Sequence, residues 1–132
     1  MQKKRASENE GKANRPTEII FMEAHYAHLL PGDGAVILRC HPEVLEKRLV
    51  EKGHRAEKLK ENIEAEAMAC ITTEALMSSD DIYEVDTTSQ DIALTSSKVL
   101  TIARCIQSGQ REKIRPHIPG NIDYTKVILS WY

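Results

Sequence analysis

The chain has 132 residues, a length that suits one small domain and is too short for two domains with separate cores. Apolar residues make up 41% and charged residues 29% of it, as in a globular protein, and no apolar run approaches the roughly 20 residues of a membrane-spanning helix. No apolar stretch follows the basic N-terminus, so a secretory signal is not expected. The cysteines Cys40, Cys70 and Cys105 are scattered, which indicates reduced thiols in a cytoplasmic protein.

The net charge of −2 conceals an asymmetry along the chain. Residues 39–60 carry seven Lys or Arg against four Glu, whereas residues 61–86 carry eight acids and no Lys or Arg. Such a basic stretch is suited to binding phosphates. A solvated helix surface explains the same composition, so charge alone does not decide between the two.

Three apolar runs predict the strands. Residues 1–18 are polar and are expected to be a disordered lead-in. Ile19–Met22 and Ala35–Leu38 are short and rich in β-branched residues, which predicts two buried strands, and Ile82–Val85 predicts a third. A Pro-Gly-Asp-Gly turn at 31–34 separates the first two runs.

Helical periodicity fills the rest of the chain. Pro42 suits the first turn of a helix that Gly53 ends, and a longer helix is expected from about Ala56 to Ile71. A last helix is predicted from about Asp91 to Gln107, followed by a tail over 109–132. Continuous apolar strands alternating with amphipathic helices indicate an α/β fold with a parallel sheet.

Glu23 and His25 come directly after the first predicted strand. Ligands of open parallel sheets bind at the carboxyl ends of the strands, where a carboxylate can hold the water shell of Mg²⁺ and a histidine can orient water or phosphate. A solvent-facing polar cluster is an equally good interpretation of position alone. A zinc site built from His25, His28, Cys40 and His41 is a weaker alternative, because the last two are adjacent.

Four cations, Arg48, Lys52, Arg55 and Lys58, flank Gly53 between two predicted helices. Cations on such a corner can close over a polyphosphate, although an ordinary charged corner has the same composition. The aromatic residues Tyr124, Trp131 and Tyr132 suit base stacking in RNA or, more simply, anchoring of the tail.

No stretch of the 132 residues has the form GxxxxGK[ST] of a phosphate-binding loop. Gly11-Lys12-Ala13 is superficially similar to its end. Ala6 stands where the leading glycine is required, Ala13 replaces Ser or Thr, and no apolar strand precedes it. This segment is therefore rejected as a phosphate loop.

Four segments together resemble one family. They are Ile19–Pro31, Val36–Pro42 with Leu45 and Arg48-Leu49, Lys58–Glu66, and Tyr83–Thr88, and the tail segment Pro119–Tyr124 also fits. The chain is similar over about residues 19–124 to the archaeal family named "putative adenylate kinase", relatives of the eukaryotic nuclear adenylate kinase isoenzyme 6. Its most specific segment is Glu-Asn-Ile-Glu-Ala-Glu at 61–66.

The resemblance implies a P-loop nucleotide kinase that transfers the γ-phosphoryl group of ATP to AMP with Mg²⁺, has ATPase activity and is linked to small ribosomal subunit maturation. By the family's pattern, Glu23 would hold Mg²⁺ through water and His25 would position water or phosphate. The lid would span about 51–61, with Lys52 where the family has an arginine and with Arg48 as a second ATP-binding cation. Lysine keeps the charge but lacks the planar fork of arginine.

The family's first strand, P-loop and AMP-binding helices have no counterpart in these 132 residues. In the family, the first strand lies between the strands that correspond here to 19–25 and 35–40. We therefore expect a partial P-loop nucleoside-phosphate-kinase fold over 19–108, with apolar faces that lack partners and favour homo-oligomers. Two functions follow: an adenylate-kinase-like enzyme whose chain alone is inactive, or a non-catalytic ribosome-assembly module that binds RNA or a ribosomal protein.

Overall fold

The computed structural model describes residues 18–132, so the lead-in predicted over 1–18 lies almost wholly outside the described residues. Two five-residue strands, β1 (Ala35–Arg39) and β2 (Ile82–Asp86), pair in parallel, and Ala35 stands opposite Ile82. The amide of Thr87 donates to the carbonyl of Arg39 and extends the ladder by one residue. The second and third apolar runs of the sequence are thus confirmed as strands.

Five α-helices surround this pair within the described part of the chain. A 3₁₀ turn (Ala27–Leu29) precedes β1, and a 3₁₀ helix (Arg111–His117) follows the longest α-helix. The α-helices are α1 (Pro42–Glu51), α2 (Ala56–Ala67), α3 (Cys70–Leu76), α4 (Ile92–Ser108) and α5 (Thr125–Leu129). The predicted α/β class with a parallel sheet flanked by helices is confirmed.

The strands bury both of their faces, because successive side chains point to opposite sides. On one face, Val36, Tyr83 and Val85 pack with Ile102, Ile106 and Ile114 from α4 and the 3₁₀ helix after it. On the other face, Ala35, Ile37 and Ile82 pack with Ala75 of α3. Cover on both sides of the two strands explains why both runs are apolar at most of their positions.

The long helix predicted from Ala56 to Ile71 is two helices. Ala69 has a positive φ of 54°, and the chain turns there between α2 and α3. Alanine in this left-handed conformation costs about 1–2 kcal/mol, which side-chain periodicity does not reveal. The turn gives α3 its own direction, and Thr72 and Ala75 of this helix are buried.

The predicted first strand at Ile19–Met22 is wrong. This segment has only an isolated bridge at Ile20 and otherwise no regular structure, and Phe21 and Met22 are 44% and 36% exposed. A strand needs a neighbour to satisfy its amides and carbonyls, and the edge of β1 away from β2 is paired with no other strand of residues 18–132. Without that neighbour, apolar composition alone does not hold the segment in a sheet.

No helix in the described part of the chain is both long enough and apolar enough to cross a membrane.

The open edge of β1 predicts self-association. Leu38 is the fourth residue of β1 and is 50% exposed, and Phe21 adds further exposed apolar surface. Exposed apolar patches beside an unpaired strand edge favour association. We expect dimers or larger species in analytical ultracentrifugation at micromolar concentration, and Leu38→Lys should shift them towards monomer. Leu129→Lys changes an exposed leucine of α5 and serves as the control. A wild-type chain that sediments as monodisperse monomer would contradict this expectation.

Candidate functional site

A buried arginine joins the two strands to α2. Arg39 ends β1 and is 2% exposed. Its Nε donates to Glu66 Oε2 at 2.6 Å, its Nη1 to Glu84 Oε2 at 2.5 Å, and its Nη2 to the Glu66 carbonyl at 2.9 Å. Thr72 Oγ1 donates to the same oxygen of Glu84, and the amide of Cys40 donates to Glu66 Oε2. Arg39 therefore fixes β1, β2 and α2 relative to one another, and Thr72 joins α3 to the same network through Glu84.

Burial and the charge of Arg39 have opposite effects on the pKa of Glu66. Burial raises the pKa of the Glu66 carboxyl above its ordinary value, although the hydrogen bond and the charge of Arg39 act to lower it. The charged form of Glu66 is therefore stabilised by the Arg39 guanidinium beside it, since burial removes much of its stabilisation by water. Removing one partner of such a buried pair typically costs about 3–5 kcal/mol, because the other charge stays buried.

The C-terminal segment is attached to the network through an aromatic ring. The Arg39 guanidinium lies 5.3 Å from the ring centroid of Tyr124, a distance suited to a cation–π interaction. The His41 ring meets the Tyr124 ring edge-on at 5.4 Å between centroids. Burial raises the pKa of the Tyr124 phenol to about 12, so the hydroxyl keeps its proton at neutral pH. Tyr124 therefore anchors the C-terminal segment on the domain, as one of the two interpretations expected, whereas Tyr132 is 95% exposed.

Arg48 fastens the loop that follows β2. Its Nη2 donates to the carbonyls of Thr87 at 2.7 Å and Thr88 at 3.2 Å, and its Nη1 contacts Cys40 Sγ at 3.3 Å. The amide of His41 donates to Thr88 Oγ1 at 2.9 Å. The start of α1 and the carboxyl end of β2 are thus joined by an arginine whose fork matches two carbonyls.

A cavity of about 370 Å³ opens beside this loop, at the carboxyl end of β2 and the start of α4. Asp91 accepts the amide of Leu94 and so already caps α4. The cavity suits a planar, uncharged part of a ligand, with a guanidinium in its wall and hydroxyl groups for orientation. Its lining residues are Arg48, Thr87, Gln90, Ile92, Thr95 and Ser96.

Glu23 and His25 lie at the other end of the strands. Both are exposed, in the turn just before the 3₁₀ turn. Their neighbours Met22 and Ala27 line a cavity together with Ala35 and Ile82, the first residues of the two strands. Five residues of strand span about 13 Å, so Glu23 and His25 are not brought together with Arg48. The catalytic roles expected for them stay predictions.

The lid predicted at 51–61 consists of the last residue of α1, a turn and the first half of α2. Lys52 is exposed and ends α1, and Gly53 has a φ of +84°, which a side chain disfavours. Arg55 and Lys58 are also exposed. Their positions leave these cations accessible to a polyanion, and their role in ATP binding stays a prediction.

Two of the three histidines considered for zinc, His28 and His41, have other partners. His28 Nε2 is 2.7 Å from Glu74 Oε1, and His41 Nδ1 accepts the amide of Glu43. All three cysteines are free thiols. Residues 18–132 contain no group of three His, Cys, Asp or Glu side chains arranged to hold a metal ion.

Glu23 was the carboxylate predicted to hold Mg²⁺ through water. The Glu23 carboxylate is exposed and makes no hydrogen bond or ion pair to another residue of the described range. Mg²⁺ keeps most of its waters and is usually held by one or two carboxylates together with substrate phosphates. Glu23 therefore fits the role of a ligand that acts through water.

Several residues of this arrangement were not singled out by sequence reasoning. Arg39 and Glu84 are charges inside strands that are apolar elsewhere, and Arg39 follows Ala35 and Ile37 in the alternation of one face. A buried pair of opposite charges on one sheet face was therefore detectable. Glu66 belongs to the most specific segment of the resemblance, but nothing in that segment indicated its partner.

Comparison with known proteins finds similar archaeal proteins, each named "Putative adenylate kinase". The protein of Archaeoglobus fulgidus is 40% identical over 104 residues, which are 79% of this chain and 56% of the relative. That of Methanosarcina barkeri is 37% identical over 118 residues, 89% of this chain and 63% of the relative. That of Pyrococcus furiosus is 34% identical over 108 residues, 82% of this chain and 56% of the relative. The chain thus spans a little over half the length of these relatives, and no family model matches it.

The two neighbouring histidines should respond differently to substitution. His28 is 7% exposed and bonded to Glu74, so His28→Ala should lower the free energy of unfolding by about 1–3 kcal/mol. His25 is exposed, and His25→Ala should change the free energy of unfolding by less than about 0.5 kcal/mol. Urea denaturation followed by circular dichroism measures both. Equal losses would contradict the assignment of His28 alone to a structural role.

The ring of Tyr124, and not its hydroxyl, should hold the tail. Tyr124→Leu removes the cation–π contact and the edge-on contact with His41, and should cost about 1–2 kcal/mol of unfolding free energy. The buried hydroxyl lacks a well-placed hydrogen-bond partner among the described residues, so Tyr124→Phe should cost less than about 0.5 kcal/mol. Thermal denaturation of both variants checks this order, and the reverse order would contradict it.

Proposed function

We propose that this chain is part of an adenylate-kinase-like phosphotransferase that converts ATP and AMP into two ADP, with ATPase activity. The observation that carries the proposal is the cavity at the carboxyl end of β2, with Arg48 in its wall. Ligands of parallel α/β sheets bind at that end of the strands. The similar archaeal proteins named "Putative adenylate kinase" supply the class of reaction.

The adenine ring of ATP is proposed to occupy this cavity. A volume of about 370 Å³ is sufficient for a purine, and the aliphatic side chain of Ile92 offers it an apolar surface. Arg48 presents a delocalised guanidinium that can stack on a ring while its Nη atoms stay bonded to Thr87 and Thr88. Lys52, exposed at the end of α1, is proposed to reach the phosphates.

Glu23 and His25 are proposed to act on the phosphates in the complete enzyme. Mg²⁺ neutralises charge on the phosphates when it is bound, and Glu23 would hold it through water. His25 would orient water or phosphate there. Because these residues lie at the amino end of the strands here, the proposal requires the Ile19–Met22 segment to pair as a strand when the sheet is complete.

Phosphoryl transfer also needs backbone amides and a lysine that surround the phosphates. No GxxxxGK[ST] segment occurs in the 132 residues, so we expect the chain alone to bind ATP without forming ADP from ATP and AMP.

A non-catalytic role is the second candidate. Lys47, Lys52, Arg55, Lys58 and Lys60 are all exposed on α1, the following turn and α2, and they form a basic surface suited to RNA phosphates or an acidic protein. Under this proposal the chain contributes to small ribosomal subunit assembly in the cytoplasm, as a relative of eukaryotic adenylate kinase isoenzyme 6. Strong salt dependence of RNA binding, together with no binding of ATP, would favour this candidate.

Two adjacent serines allow a matched test of the ATP site. Ser96 lines the cavity, whereas Ser97 is exposed on α4 and does not line it. Ser96→Glu places a long anionic side chain in the cavity and should weaken ATP binding on the order of tenfold or more, because like charges repel and the space is filled. Ser97→Glu changes the helix and the net charge equally and should leave binding unchanged. Isothermal titration calorimetry with ATP and Mg²⁺ measures both, and equal effects would exclude this cavity as the ATP site.

A further inference from the structure

A second cavity, of about 410 Å³, lies between α3 and the C-terminal segment. Its floor includes Arg39 and Glu84, the buried charges of the network. Thr73 and Leu76 of α3 line one side, and the turn at 119–123 lines the other. This cavity takes no part in the nucleotide site proposed above.

Glu84, which lines this cavity, has one carboxylate oxygen without a hydrogen-bond partner among the described residues. The residue is 3% exposed, and its Oε2 accepts hydrogen bonds from Arg39 and Thr72. Its Oε1 is buried and has no hydrogen-bond partner within the described part of the chain. A buried acceptor without a partner costs free energy, so a donor that reaches it from the cavity gains the bond that the protein alone does not make.

The charge around the cavity favours a cation. The network holds one guanidinium, Arg39, against two carboxylates, Glu66 and Glu84, which leaves one negative charge in excess. Asp123 at the rim adds a further carboxylate. A ligand with one positive charge balances the buried excess.

We propose that this cavity binds a primary alkylammonium group, carried either by a free diamine or by a lysine side chain of another protein. A single free oxygen suits the compact ammonium better than the guanidinium fork, which needs two acceptors in parallel. Leu76, Pro119 and Ile122 line the cavity with apolar surface that covers the aliphatic stem.

An internal lysine tests the assignment without disturbing the buried pair. Thr73 is exposed at the cavity, so Thr73→Lys brings an ammonium of its own into it. This variant should lose binding of the ligand on the order of tenfold or more and should melt at a higher temperature than wild type. Thr101→Lys makes the same change on an exposed position of α4 that does not line the cavity, and should bind like wild type.

The probes are cadaverine and N-acetyl-lysine methylamide, titrated against the full chain and followed by amide chemical shifts in NMR. We expect saturable shifts at Thr72, Thr73 and Glu84 with at least one of them. Binding of both, or of the lysine derivative alone, identifies a protein lysine as a possible source; binding of cadaverine alone identifies a free amine. Neither amine titration requires ATP. A failure of the amine proposal is therefore distinguishable from a failure of the proposed nucleotide site.

Three results would overturn the proposal. The first is the same shifts with potassium chloride or with the uncharged norleucine analogue, which would indicate screening or apolar binding. The second is equal or tighter binding of N-acetyl-arginine methylamide, which would remove the preference for ammonium. The third is absence of saturation with both amines, or equal losses in Thr73→Lys and Thr101→Lys.

Discussion

The Arg39 guanidinium is the contact on which the rest of the structure depends. It is the last residue of β1, and its three bonded nitrogens contact two acids that lie 27 and 45 residues further along the chain. Because the sheet has two strands within residues 18–132, it offers its helices little apolar area to pack against. The buried charges fix how the helices are oriented on the sheet, because hydrogen bonds are directional and apolar contacts are not.

This network also orders the carboxyl end of the sheet. Glu66 accepts the amide of Cys40, the residue between β1 and the start of α1. From there α1 places Arg48 against the carbonyls of Thr87 and Thr88, so the same network positions the wall of the cavity beside the start of α4. Tyr124 covers the other side of the guanidinium and brings the C-terminal segment onto the domain. The cavity proposed for ATP and the cavity proposed for an amine are therefore both lined by residues joined to this network, Arg48 in the first and Arg39 and Glu84 in the second.

Local patterns predicted the elements that local forces form. The runs that became β1 and β2 are apolar apart from Glu84, and Pro42 and Gly53 mark α1 within two residues of its ends. The Ile19–Met22 segment has the same composition as β1 and is not a strand, because a strand depends on a neighbour that composition does not describe. The turn at Ala69 was missed for a related reason, since tertiary packing imposes its positive φ.

The residues of the candidate site also differ in how far the sequence could predict them. Arg48 was predicted as an ATP-binding cation, and its bonds to Thr87 and Thr88 could not be read from spacing because 39 and 40 residues separate them. Glu23 and His25 were expected at the carboxyl end of a strand over Ile19–Met22. Because this segment is not a strand, their neighbours Met22 and Ala27 lie instead beside the amino ends of β1 and β2. The pairing of Arg39 with Glu84 was accessible in principle, since both charges fall on one face of two predicted strands.

The most direct measurement of the central claim, that nucleotide binds at the carboxyl end of the strands, is a crystal structure of the chain with a non-hydrolysable ATP analogue. We expect density for the base beside Arg48, Gln90 and Ile92, with the Arg39 network unchanged. Density for the base beside Ala35 and Ile82, at the amino end of the strands, would contradict the claim.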